Sequence, residues 1–264
     1  MSSKSLNLRT VNLTRYVTPL REGGSMPAIA EADDGFLYVV KFRGAGQGSK
    51  ALIAELIGGE IARLLGLRMP ELVFVNLDEA FGRTEADEEI QDLLKASTGL
   101  NLALHFLSGA ISYDPLVCSV DPLEASKIVW LDALLMNMDR TARNTNMLMW
   151  RKELWLIDHG AALYFHHTGT PWDSKAQQNF ELIKNHVLLS KATHLEEVET
   201  LAHKNISKEL IQEIVALIPI SWLETDLIYE NAEAQRQAYA RYLENRLLHS
   251  NTFIKEIQDA QKSV

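Results

Sequence analysis

The sequence predicts an α+β chain in two lobes, a small β-rich N-lobe over residues about 10–110 and a mostly helical C-lobe over about 111–264. Three observations lead there. Strand-like runs bounded by turn residues crowd the first third, a strongly capped helix opens at Asp121, and from Phe180 onward the spacing of apolar residues is helical. No internal repeat, low-complexity tract or linker divides the chain, so one domain of two lobes sharing a cleft fits better than two independent domains.

In chain order, Ala28 to Ala32 and Phe36 to Phe42 flank Asp33-Asp34-Gly35, a turn signal between β-favouring runs, which predicts a hairpin. On its second strand Leu37, Val39 and Lys41 share one face, and Phe36, Tyr38, Val40 and Phe42 the other. A charge on a strand this apolar is costly unless something compensates it. Glu55, on the helix that follows, is a candidate partner; the alternative is an edge lysine whose ammonium reaches water. That helix is predicted from Leu52, Ile53, Leu56, Ile57, Ile61, Leu64 and Leu65 and stops at Gly66 with Pro70 close behind. Glu71 to Leu77 reads as a strand, Thr84 to Lys95 as an acidic surface helix, and Ala96 to Ser119 carries no clear pattern.

Asp121-Pro-Leu-Glu combines an N-cap, a proline at the first helical position and an acid at the third. The helix it opens runs through Met136 into the polar stretch Asn137 to Asn146. Met147 to Trp150 and Leu154 to Ile157 then form a hairpin about Arg151-Lys152-Glu153, and Asp158 follows. The helical remainder is expected to break near Lys191, Asn205, Pro219 and Glu230.

The chain has 264 residues, with 47% apolar and 23% charged, so a sizeable core is available to an ordinary globular protein. Its net charge of −9 argues against direct nucleic-acid binding or docking on anionic lipid. The single cysteine, Cys118, precludes an internal disulfide, and the opening MSSKSLNLRTVNL lacks the pattern of a secretory signal. The longest uncharged apolar runs fall short of the roughly 20 residues that span a bilayer. The expectation is a cytoplasmic protein without membrane contact.

Within Asn-Met-Asp139-Arg-Thr-Ala-Arg-Asn144-Thr-Asn146, Asp139 and Asn144 stand five positions apart, the interval of the kinase catalytic loop. Alone, such a pair also occurs in capped helix ends. Its context is Leu-Trp-Leu-Ile-Asp158-His-Gly160, a short apolar strand delivering an acid just before glycine, as D-F-G does to hold magnesium. Phosphoryl transfer from ATP uses a lysine on the phosphates, an acid holding it, a carboxylate near the attacking hydroxyl, and Asn and Asp ligands for the metal. Lys41, Glu55, Asp139, Asn144 and Asp158 supply these types in that order.

Together with Gly-Gly-Ser (23 to 25), Tyr-Val-Val-Lys-Phe (38 to 42), Ala-Glu-Leu (54 to 56) and Ala-Arg-Leu-Leu-Gly-Leu (62 to 67), these motifs make the sequence resemble the HipA-like kinases. The match is to their short branch, within the protein-kinase and phosphatidylinositol-kinase-like fold, and covers about residues 10 to 170. The resemblance implies that Lys41 contacts the phosphates of ATP, that Asp139 is the base, and that Asn144 and Asp158 bind Mg. It also implies that Gly23, Gly24 and Ser25 cover the phosphates, although Gly-Gly-Ser alone is equally a hairpin turn. Glu55 is favoured over Glu60 for Lys41, and Glu60 is expected to be solvated. Asn137 replaces the usual His and Arg140-Thr141 stand where a Lys is common, so Arg140 or Arg143 would meet transition-state charge.

The implied activity is an ATP- and Mg-dependent kinase acting on Ser or Thr of a protein or of itself, with an antitoxin-like protein as a further partner. A kinase of a small molecule or lipid head group, or a silent nucleotide-binding module, are the alternatives. Gly44-Ala-Gly-Gln-Gly-Ser-Lys50 fails the P-loop order and is read as a strand-to-helix loop, and His166-His167 has no further ligands at zinc spacing.

Overall fold

The first hundred or so residues form a barrel. In this computed structural model, which describes residues 6–20, 26–82, 85–223 and 228–263, five strands are hydrogen-bonded in the order β1-β2-β3-β5-β4. They are β1 (Thr10–Pro19), β2 (Ala28–Ala32), β3 (Leu37–Lys41), β4 (Leu72–Leu77) and β5 (Gly99–His105). β1 closes the barrel by pairing parallel with β4, and the other pairs are antiparallel. The β2–β3 turn is the expected one, with Gly35 at φ +78°, a conformation that a Cβ disfavours. Tyr38, Val40, Val73, Val75 and Ala103 fill the interior, while Val39 and Lys41 stand on the outer face of β3.

β5 lies in the stretch that carries no clear sequence pattern, for two reasons. Its Leu102 and Leu104 pack outward in the larger core and Ala103 inward, so both faces are apolar and alternation is lost. Asn101, fully buried, interrupts the run; it accepts from the Arg43 amide and donates to the carbonyls of Ser97 and Gly99. The acidic helix α2 (Glu88–Ala96) starts later than expected because Asp87 caps it, accepting from the amides of Glu89 and Ile90. Thr84 lies outside the described residues.

α1 (Gly48–Leu64) is buried without interruption from Leu52 to Ala62, with apolar residues on every face and two acids, Glu55 and Glu60, among them. It lies between β5 and α3 (Pro122–Leu135) and shares one core with the helical part of the chain, while the barrel interior forms a second. Asp121 caps α3 as expected, and Met136 ends it at φ +50°. β7 (Met147–Trp150) and β8 (Glu153–Leu156) form the expected hairpin, turning on two left-handed residues, Arg151 and Lys152. β6 (Ile111–Ser112) adds to the edge of β7 and is too short to read from sequence.

Four helices follow: α4 (Leu195–Asn205), α5 (Lys208–Ala216), α6 (Ala232–Leu248) and α7 (Ser250–Gln261). The expected breaks near Asn205, Pro219 and Glu230 fall between them and the one near Lys191 precedes α4, but the stretch from Phe180 to Lys191 forms short 3-10 turns and α6 also ends at His249. Among the described residues no helix is long and apolar enough to cross a membrane.

One buried ion pair ties these pieces together. Asp132 on α3 is fully buried; its Oδ2 accepts from Arg140 Nε at 2.5 Å and from His186 Nε2 at 2.9 Å, and its Oδ1 from Asn137 Nδ2 at 2.9 Å. His186 Nδ1 accepts from the Leu188 amide, which fixes the Nε2–H tautomer. Burial by itself would raise the proton affinity of Asp132, but Arg140 and the His186 hydrogen bond outweigh it and hold the carboxyl well below the usual range. A depressed native pKa means stability that is present above the unfolded value near 3.9 and is lost as pH falls below it. Asp132→Asn should therefore cost on the order of 3–5 kcal/mol in urea unfolding at pH 7. The deficit should shrink below about pH 4, where the wild type loses the same term; an equal deficit at pH 7 and pH 3 would show that the carboxylate charge is not what counts.

Candidate active site

The outer face of β3 meets the middle of α1, and the charge on that face is compensated there. Lys41 Nζ donates to Glu55 Oε2 at 2.6 Å and to Asp158 Oδ1 at 2.5 Å, with the lysine side chain 12% exposed and that of Glu55 0%. Burial would lower the pKa of Lys41, but Glu55 and Asp158 reverse the shift and raise it. For Glu55, burial pulls upward and Lys41 overrides it, holding the carboxyl below its ordinary range. The edge-lysine alternative is thereby removed: both groups are charged and Lys41 is held between two acids.

Asp158 follows β8 in the left-handed region, at φ +56°. This unfavourable backbone turns its carboxylate to Lys41 while the next residue points inward. Asp139 stands three residues beyond the left-handed end of α3, where Asn137 Oδ1 accepts from its amide at 3.2 Å. Its Oδ2 accepts from Asn144 Nδ2 at 2.8 Å and from Asn146 Nδ2 at 3.3 Å. Burial raises the proton affinity of the Asp139 carboxyl, and the charge of Asp158 adds to this against the hydrogen bonds of Asn146 and Asn144.

Lys41, Asp139, Asn144 and Asp158 all edge one cavity of about 1040 Å³, whose walls also carry Val39, Leu104, Met147 and Ile157. Among the described residues, Asn144 Oδ1 and Asp158 Oδ2 accept no hydrogen bond, so two hard oxygen donors remain for a cation. That donor set fits magnesium better than a soft metal, which would need sulfur or imidazole.

Other expected positions fall elsewhere. Arg140 is 1% exposed and lies beneath the loop rather than in the cavity, with its guanidinium on Asp132, the carbonyls of Asn146 and Ile157, and His159. Five donors need five acceptors, and the two Asp132 oxygens, the Asn146 and Ile157 carbonyls and His159 Nε2 provide them, so no donor is left over for a phosphate. Arg143 is exposed on the loop. Glu60 is not solvated but 3% exposed, with Oε1 lacking a hydrogen-bond partner among the described residues and Arg63 at 3.6 Å; burial raises its proton affinity. Gly23, Gly24 and Ser25 lie outside the described residues. The P-loop-like stretch forms the turn into α1, and Lys50 there donates to the His166 carbonyl.

Sequence reasoning missed Asn146, Asp132, His159 and His186 as parts of the site. The Asn144-Thr-Asn146 repeat was a usable signal for the first. Asp132 and His186 are 54 positions apart, and nothing local relates them.

The chain is similar in fold to a proinflammatory kinase of Helicobacter pylori, CtkA, with a TM-score of 0.58 at 13% identity over 98% of this chain and 99% of that one. It also aligns with the Golgi casein kinase with Mn and ADP bound, at a TM-score of 0.48 and 13% identity, over 93% of this chain and 73% of that one. No curated protein matches it in sequence. A family model described as HipA-like kinase matches residues 13–257, from within β1 to within α7 and including every residue named at the cavity, and by that match the chain belongs to the HipA-like kinase family.

Proposed function

We propose that this chain is an ATP- and Mg-dependent kinase that phosphorylates Ser or Thr of a protein or of itself, with residues about 10–110 as N-lobe and 111–264 as C-lobe. The observation that carries the reading is that Lys41, Asp139, Asn144 and Asp158 edge one cavity while Glu55 holds the lysine from behind. Family membership supports the phosphotransferase class, and the apolar walls Val39, Leu104 and Met147 suit a nucleotide base.

In this reading Lys41 orients the ATP phosphates, and Glu55 keeps its ammonium at a fixed depth. Asn144 and Asp158 would hold the magnesium, which when bound neutralises charge on the phosphates. Asp139 accepts the proton of the substrate hydroxyl as that oxygen bonds to the γ-phosphorus and the bond from phosphorus to the ADP oxygen breaks. The raised proton affinity of Asp139 suits a base, and the amides of Asn144 and Asn146 aim its carboxylate.

Magnesium and ATP together, but not ATP alone, should raise the melting temperature; ligand at a hundred times its dissociation constant stabilises by about 2.7 kcal/mol. Asp139→Asn should keep that shift while transfer falls by on the order of 10²–10⁴, whereas Asp158→Asn should lose most of the shift too. Mass spectrometry after incubation with labelled ATP, alone and with lysate, reads the acceptor: label on Ser or Thr supports the proposal, and label only on a small molecule or lipid overturns that part of it. No transfer to any acceptor, with Asp139→Asn equal to wild type, leaves a nucleotide-binding module instead.

Lys41→Met should abolish transfer and Glu55→Ala should reduce it in part. The double variant should be little worse than Lys41→Met, because the two act as one unit. Additive losses in kcat/KM would show that the contact between them contributes nothing to the reaction.

A further inference from the structure

Fully buried His159 lies between the two charge clusters of the molecule. Its amide donates at 2.7 Å to Glu55 Oε2, the same oxygen that accepts from Lys41. Its ring Nε2 stands 3.1 Å from Arg140 Nη2. A guanidinium only donates, so Nε2 is the acceptor and the ring proton sits on Nδ1. That Nδ1 faces Glu55 Oε1 at 3.9 Å, and among the described residues neither atom has a hydrogen-bond partner. A buried donor and a buried acceptor thus face one another about 1 Å beyond bonding distance, at a free-energy cost that closing the gap would remove. The ring is also seated tightly: a Cβ on Gly58 of α1 would come within 2.7 Å of His159 Cβ and 2.8 Å of its Cγ.

We propose that His159 is a positioning residue that couples α1 to the Asp139 loop, and that its Nδ1–H closes onto Glu55 Oε1 when nucleotide draws on Lys41. On one side it holds the acid that orients Lys41. On the other it holds Arg140, which binds the Asn146 and Ile157 carbonyls and so sets the loop that aims Asp139 and the strand end that delivers Asp158. The closure rests on the kinase reading above; the coupling does not.

Nitrogen-15 NMR of the free chain with labelled histidine should show the Nδ1–H tautomer for His159, and an Nε2–H or doubly protonated ring would overturn the proposal. Glu55→Gln should shift the Arg140 guanidinium resonance, and the shift should vanish in a His159→Phe background; persistence there would mean that His159 does not carry the coupling. With Mg and ATP added, and binding verified by melting temperature, the Nδ1–H signal should move to a hydrogen-bonded position. Binding without that movement removes the closure, whereas absence of binding counts against the kinase reading instead. His159→Phe, assayed well below its melting temperature, should lower kcat on the order of tenfold with the KM for ATP within about twofold. His159→Gln, which restores an acceptor for Arg140, should recover most of it. A lowered melting temperature with unchanged kcat would reduce His159 to a packing residue. If neither variant folds, the wild-type tautomer and its response to nucleotide still decide the matter.

Discussion

The pairing of Arg140 with Asp132 is the constraint on which the rest of the candidate site depends. Both side chains are fully buried, and an isolated charge of either sign would not be tolerated there. Because the guanidinium also takes the carbonyls of Asn146 and Ile157, it locks the two backbone segments that carry Asp139 with its asparagines and Asp158. His186 brings the stretch of 3-10 turns to the same carboxylate, and the Val187 amide reaches back to the Arg140 carbonyl. A loop of this length without regular structure would otherwise sample many conformations, and ordering it costs about 1–2 kcal/mol per residue. Short charge-assisted bonds in a dry site are among the few interactions strong enough to oppose that cost.

α1 carries the same constraint toward the barrel. Its uninterrupted burial means that it cannot move without exposing apolar surface on one side or the other, yet it bears Glu55, the buried one of the two acids that hold Lys41. Two glycines in mid-helix, each unfavourable by about 1 kcal/mol against alanine, mark where neighbours come closest. Gly59 admits Leu72 of β4, at 2.6 Å from where a Cβ would lie, and Gly58 admits His159. The depth of Lys41 in the cleft is set by these contacts.

Lys41 lies at the meeting point of the two halves. Its single ammonium neutralises a buried acid on α1 and a half-exposed acid beyond β8, whose side chain remains 43% exposed on the cavity side. That asymmetry leaves Glu55 with one fixed role and gives Asp158 an oxygen facing solvent and any ligand. The barrel is otherwise a separate small core rich in alanine, and its tight interior leaves the outer face of β3 as the surface from which a side chain can reach the cavity.

What the sequence determined by itself were the features that act over a turn or two of chain. The alternation that sets Lys41 opposite Tyr38 and Val40, the Asp121 cap, the Gly66 stop, the β7–β8 hairpin and the Asp139–Asn144 interval are all legible, because each depends on neighbours within about a dozen residues, and Asp158 follows that hairpin directly. Tertiary structure decided the rest. β5 was hidden because burial on both faces erases the period, and the stretch up to Lys191 was misread because His186 and Val187, drawn to Asp132 and Arg140, break its helical spacing into 3-10 turns. Glu60, expected to be solvated, is buried, and Arg140, expected with Arg143 as an alternative to meet transition-state charge, is spent on the fold. Lys41 with Asp158 and His159 with Glu55 join residues 117 and 104 positions apart. At such separations no local propensity records the pairing, and only the packing of α1 between barrel and helices brings the partners within bonding distance.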